Sequence, residues 1–177
     1  MNPIRRIVTG HDDRGRSIVL FDDHVRPGAD VPTDVYLWTT DRTPASTRGH
    51  DDAARRPLRL EPPPNGSAFR FVEFPPDSAL AGMSAEQVEA VMAGLFARLD
   101  ATGCRTDTKR SPGMHRTHTI DYIVLLAGEI TLLLDEGEVT LKPFDVVVQR
   151  GTSHAWSNRG ASPALLAIAM LDAEPAV

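Results

Sequence analysis

Apolar and polar positions alternate in short runs along most of this chain, and glycine, proline and acidic turns cut the runs apart. Residues 5–9 and 17–21 read as two strands of a hairpin joined by the polar stretch His11 to Arg16. Residues 35–40 and 69–74 show the same pattern, the second stopped by Pro75-Pro76. Residues 41–66 have no period. They are polar, rich in Pro, Asp and Arg, and predict a long irregular connection wrapped over the surface. Beyond His115 the runs come close together, at 120–126, 129–134, 138–141, 146–149 and 165–171. Asp135-Glu136-Gly137 predicts a hairpin turn in which Gly137 takes a positive φ. A closely spaced series of this kind predicts a closed or rolled β-structure, because closure removes exposed strand edges.

One segment changes period. Ser84, with Gln87 three residues on, forms a capping box. Val88, Val91, Met92, Leu95, Phe96 and Leu99 then recur at spacings of three and four, and Gly103 lies shortly beyond. This predicts an amphipathic helix over about 84–100. Its stripe has two available roles: packing on the outside of a barrel, or serving as a lid over its mouth.

Length and composition narrow the picture. A chain of 177 residues fits one domain. Residues 1–65 read as an N-terminal extension with the hairpin and the irregular segment. Residues 66–172 read as the barrel, helix included. The 13 glycines and 14 prolines fit an all-β fold better than a helical one. A formal net charge of -5, with scattered basic residues, gives no electrostatic reason to bind nucleic acid or an anionic membrane. The single cysteine, Cys104, excludes an intrachain disulfide and four-cysteine zinc. The run at 164–171 is too short to span a bilayer, and no apolar stretch follows the first six residues as in a signal peptide. The expected location is therefore the cytoplasm.

Candidate chemistry gathers late in the chain. His11, His24 and His50 fall in polar stretches and read as solvated; His115, His118 and His154 do not. If 115–122 is extended, His115, Thr117 and Asp121 share a face that Ile123 and Leu125 continue, while Arg116, His118 and Tyr122 point the other way. The plausible pair is thus His115 with Asp121. Gly151 to Ser153 reads as a turn, and His154, Trp156 and Asn158 share a face after it. Trp156 and Tyr122 read as packing residues and Asn158 as a turn-fixing one. Cys104 lies in a polar loop with no adjacent histidine and is not expected to be a nucleophile.

These residues resemble the two motifs of the cupin superfamily. The first, His-x-His with a Glu three or four residues on and a Gly six further, is matched by His115, Thr117, Asp121 and Gly128. The second, ending Pro-x-Gly-x-x-His-x-x-x-Asn, is matched by Gln149, Gly151, His154 and Asn158. The stretches 114–122 and 148–156 are similar to small cupins that include cupin-domain oxidoreductases of secondary-metabolite clusters. The resemblance implies an all-β fold, the cupin double-stranded β-helix or jelly-roll barrel, with one amphipathic helix and an N-terminal β extension. It also implies a homodimer. The departures are Thr117 for the second histidine, Asp121 for the glutamate, Phe144 for a glycine and Gln149 for the proline.

What the resemblance leaves of the metal site is His115, Asp121 and His154. Two His and one carboxylate suit a divalent metal, Fe, Mn, Ni or Zn, with open positions for a small organic substrate. The expected function is therefore a metal-dependent cupin enzyme of the oxidoreductase or dioxygenase kind, with these three residues as ligands and catalytic groups. A metal-free dehydratase, decarboxylase, isomerase or cyclase using His/Asp acid–base chemistry is the alternative. A non-catalytic small-ligand-binding module is the third reading.

Overall fold

The computed structural model describes residues 1–175. Ten strands and one α-helix follow in chain order. They are β1 (Ile4–His11), β2 (Ser17–Val25), β3 (Asp34–Thr40), β4 (Ser67–Phe74), α1 (Ala85–Arg98), β5 (Thr119–Ala127), β6 (Ile130–Leu134), β7 (Glu138–Leu141), β8 (Val146–Arg150), β9 (His154–Ser157) and β10 (Ala164–Asp172).

β1 and β2 form the expected hairpin as a separate two-stranded sheet. A five-stranded sheet runs β3-β4-β10-β5-β8, and a three-stranded sheet runs β7-β6-β9. Their inner faces share one apolar core. Ile123, Leu125, Leu166, Ile168 and Met170 of the larger sheet meet Ile130 and Leu141 of the smaller. β10 shows why the sequence specifies this: its burial alternates strictly from Ala164 to Met170, which is the period of a strand with one face in the core. Two sheets rolled around one core make the jelly-roll barrel, a double-stranded β-helix. β3, which the sequence pattern assigns to the extension, is an edge strand of the larger sheet, paired with β4 from Asp34↔Val72 to Thr40↔Ser67.

The connection between β3 and β4 contains no strand or helix and ties the hairpin to the barrel. Asp52 accepts hydrogen bonds from Arg6 of β1 at 2.7 and 2.8 Å. The Ala53 carbonyl accepts one from Thr39 of β3. At Gly66 the chain passes so close to β3 that a Cβ would lie 2.1 Å from the Thr40 carbonyl oxygen, so no larger residue fits without moving backbone.

α1 begins with the capping box, the Ser84 and Gln87 side chains each engaging the other's backbone N–H. Phe96 and Leu99 are buried with Val31 and Ala101, and Met92 and Leu95 pack beside them, whereas Val91 stays 42% exposed. The stripe is therefore narrower than its six apolar residues suggest. No helix among the described residues is long and apolar enough to cross a membrane.

Candidate functional site

The His115 region is not one continuous strand. His115 forms an isolated bridge with His154, extending the edge of the three-stranded sheet, while β5 of the larger sheet starts only at Thr119. The chain crosses between sheets over residues 116–118. From Thr117 onward the expected alternation holds: Thr117, Thr119, Asp121, Ile123 and Leu125 are buried, and Tyr122 is 51% exposed. The His118 side chain is 58% exposed, 3.7 Å from Glu61.

The bridge brings the two histidines together. Each backbone N–H donates to the other's carbonyl at 2.9 Å, and the ring centroids lie 4.3 Å apart. His115 Nδ1 is 2.8 Å from the Gly113 carbonyl. A carbonyl only accepts, so the proton of the neutral ring is on Nδ1 and the Nε2 lone pair is free. His154 Nδ1 lies 3.0 Å from the Thr152 carbonyl and 3.0 Å from the Gln149 amide nitrogen, one an acceptor and the other a donor, so both tautomers find a partner. Gln149 is itself buried and donates to Thr152. Burial, and then the neighbouring His115, pull His154 down to about 3. Burial likewise lowers His115, and the Arg70 guanidinium adds to that. Both rings are neutral at ordinary pH.

Asp121 projects into the same interior from β5, beside Gln149 on β8 and Met170 on β10. It is 4% exposed, and its Oδ1 has no hydrogen-bond partner. Burial pushes its carboxyl up to about 6, against the opposing pull of Thr119 and Arg70. An unpartnered oxygen on a buried carboxylate is costly unless something else binds it.

Arg70 and Asp34 form a buried ion pair that the sequence reading missed. Arg70 on β4 engages Asp34 on β3 through both carboxylate oxygens. Its Nη1 donates to the Arg59 and Leu60 carbonyls at 2.9 Å and touches the Met170 sulfur at 3.8 Å. The Arg70 charge disfavours a charged His115 and favours an ionised Asp121. The alternation of β4 puts Arg70 on an inward position between Ala68 and Val72, and that was the available signal.

The aromatic surroundings complete the site. Phe96 of α1 meets His115 edge-on at 5.2 Å, so the helix reaches the site directly. Glu89 of the same helix holds Arg105 through two hydrogen bonds, and residue 105 bridges to His115. Trp156 stands edge-on to His154 at 6.0 Å and packs on the core. Asn158 holds the turn after β9, donating to the Phe74 and Ser162 carbonyls at 2.9 Å. Burial raises the Cys104 thiol to about 11, which suits an unreactive residue.

The donor set bears on the expected metal. His115 and His154 offer ring nitrogens and Asp121 an unpartnered oxygen, but no three His, Cys, Asp or Glu side chains among the described residues stand close enough together to hold one ion. In this arrangement the set His115, Asp121 and His154 does not fit a three-ligand metal centre. The histidines pair across the small sheet while Asp121 stands on the large one.

No family model matches the chain. Across 97% of its length it is 28% identical to the cupin-domain-containing oxidoreductase fogC of Aspergillus ruber, covering 74% of that protein. Over 26% of its length it is 64% identical to phomopsin biosynthesis cluster protein C' of Diaporthe leptostromiformis, spanning a quarter of that relative. Among solved structures, an RmlC-like cupin with a double-stranded β-helix fold from Methanocaldococcus jannaschii is 11% identical, with a TM-score of 0.38 over 60% of this chain and 70% of that one.

Proposed function

We propose that this chain, a double-stranded β-helix whose relatives include cupin-domain-containing oxidoreductases and biosynthesis-cluster proteins, is an enzyme that transforms a small organic molecule by acid–base chemistry of His115, His154 and Asp121. One observation carries the reading: the His115 and His154 rings lie 4.3 Å apart, and Gln149, which contacts the His154 ring, stands opposite Asp121, whose buried Oδ1 has no hydrogen-bond partner. Around pH 6 the Asp121 carboxyl is part protonated while burial favours the neutral imidazoles, so one group can give a proton and another can take one.

The roles follow from the atoms. His115 Nε2 has the free lone pair and takes a proton from an acidic C–H or O–H. Asp121, protonated in part near pH 6, gives a proton to a carbonyl or departing hydroxyl. Arg70, locked by Asp34 and two carbonyls, is a fixed polar wall of the interior whose charge is balanced by Asp34. Gln149 fixes the His154 ring. The reaction class is a lyase or isomerase: dehydration, decarboxylation, isomerisation or cyclisation.

The test is proton NMR of a panel of hydroxy and keto acids in D2O, with elemental analysis of the same protein. The reading expects deuterium to enter a C–H position of one panel member, and the exchange to vanish in His115→Ala and Asp121→Asn. Near-stoichiometric Fe, Mn, Ni or Zn, lost in both His115→Ala and His154→Ala, would replace this reading with a metal-dependent oxidoreductase.

A homodimer accompanies the proposal. On the outer face of the large sheet, Phe69, Ala169, Tyr122 and Val148 stand in one cross-strand row, and Phe71, Ala167, Val124 and Val146 in the next. Phe69, Tyr122, Val146 and Val148 are 42 to 63% exposed. A contiguous apolar face suits a self-association surface. Sedimentation is expected to give a dimer for the wild type and a monomer for Tyr122→Asp; a monomeric wild type removes the proposal.

A further inference from the structure

A cleft outside the barrel interior is lined by neither His115 nor His154. It has a volume of about 520 Å3 and opens between the β1–β2 hairpin, β3 and the long connection. That size suits a small organic ligand. Val25, Val31, Val35 and Leu58 give it an apolar lining, and Val31 and Leu58 also belong to the cluster that seats α1.

The charges around the cleft are unequally committed. Arg6 is engaged by Asp23 and Asp52, Arg55 reaches Asp52 and Arg56 reaches Asp41. Asp34 is bound to Arg70. Arg26, just after β2, and Arg98, at the end of α1, line the same cleft and make no ion pair among the described residues. Asp30 is the unpaired acid of the lining. Two free guanidinium groups against one free carboxylate leave an excess of positive charge, on a chain whose net charge is -5. Arginine pairs with carboxylates through two parallel hydrogen bonds, and apolar walls beside it favour a ligand with a hydrocarbon body.

We propose that this cleft is a second binding site, which takes a carboxylate-bearing apolar molecule and holds its anionic end with Arg26 and Arg98. It does not depend on the acid–base reading of the barrel interior. Its back wall includes Asp34 and Tyr36, the residues that fix Arg70: Asp34 by the ion pair, Tyr36 by a ring 5.6 Å beneath the guanidinium. A ligand here therefore sits against the outside of the network whose inside faces Asp121.

Octanoate is the probe, with octanamide as its neutral counterpart, each titrated into the full chain and followed by calorimetry and by backbone amide shifts. Octanoate is expected to bind with a Kd of about 1 mM or tighter, to weaken as salt is added, and to shift Val25, Val31, Val35 and Leu58. Octanamide is expected to bind at least tenfold more weakly. The doubly substituted Arg26→Gln/Arg98→Gln protein is expected to lose octanoate binding tenfold or more, with an unchanged thermal midpoint. Equal binding of the two probes, undiminished binding in the double variant, no binding, or shifts confined to the His115 region would each overturn the proposal.

Discussion

His115 and His154 hold each other by the backbone, two hydrogen bonds of 2.9 Å closing a bridge that leaves their rings 4.3 Å apart. Two imidazoles this close in a dry setting cannot both carry charge, which gives the protein a defined response to acid. The folded His154 titrates near 3, below its ordinary 6.5, and His115 is lowered too. In the unfolded chain both accept protons as pH falls below about 6.5.

The stability held by neutral His154 is therefore complete above pH 6.5 and is lost as pH falls towards 3. The slope is up to about 1.4 kcal/mol per pH unit for a single group. Urea unfolding at a series of pH values is expected to show the wild type losing stability relative to His154→Gln with this slope as pH falls below 6.5, the opposing Asp121 contribution being common to both proteins. Parallel slopes in the two proteins would contradict the burial of a neutral ring.

Asp121 acts with the opposite sign. Its folded carboxyl titrates at about 6 against 3.8 unfolded, so the folded state is favoured at low pH and loses that advantage as pH rises through 6. Asp121→Asn is expected to stabilise the protein above pH 6 by up to about 3 kcal/mol, and to change nothing below pH 3.8. Unfolding free energies at pH 4 and pH 8 check this. A variant less stable than wild type at pH 8 would mean that the carboxylate is bound by a group that favours its charge.

The Arg70–Asp34 pair is buried on both sides, 2% and 4% exposed. Removing one partner strands the other charge, and Asp34→Ala or Arg70→Met is expected to cost about 3–5 kcal/mol. The double variant is expected to lose less than the sum of the two, as a double-mutant cycle in denaturant will read. Additive losses would show that Arg70 is held by the Arg59 and Leu60 carbonyls alone.

Phe144 occupies the position where cupins carry a glycine, and its backbone is left-handed, at φ 74. The ring is 79% exposed, so it contributes little burial in return. Phe144→Gly is expected to raise the stability of the monomer by about 1 kcal/mol by removing the strain of a side chain in that region. A fall in stability would reveal a contact that the ring makes and the monomer does not show.

The periodic parts of this protein could be read directly. β10, the β6–β7 hairpin with Gly137 at φ 82, the capping box of α1 and the inward set Thr117, Asp121, Ile123 and Leu125 are written in spacing, because local geometry fixes which residues share a face. The motif positions likewise marked His115, Asp121 and His154 as interior candidates. What spacing could not carry was which sheet each belongs to. A face says inward, but the break at residues 116–118 sends His115 to the small sheet and Asp121 to the large one. Nor could it show Arg70 with Asp34, 36 residues apart, Phe96 on His115, or the cleft between hairpin and barrel. Those are contacts between elements distant in sequence. The sequence by itself determined the strands, the helix and the residue types available for chemistry. Only the packing of the two sheets decided which of those residues meet, because burial and pairing of charges depend on neighbours that the chain brings together by folding.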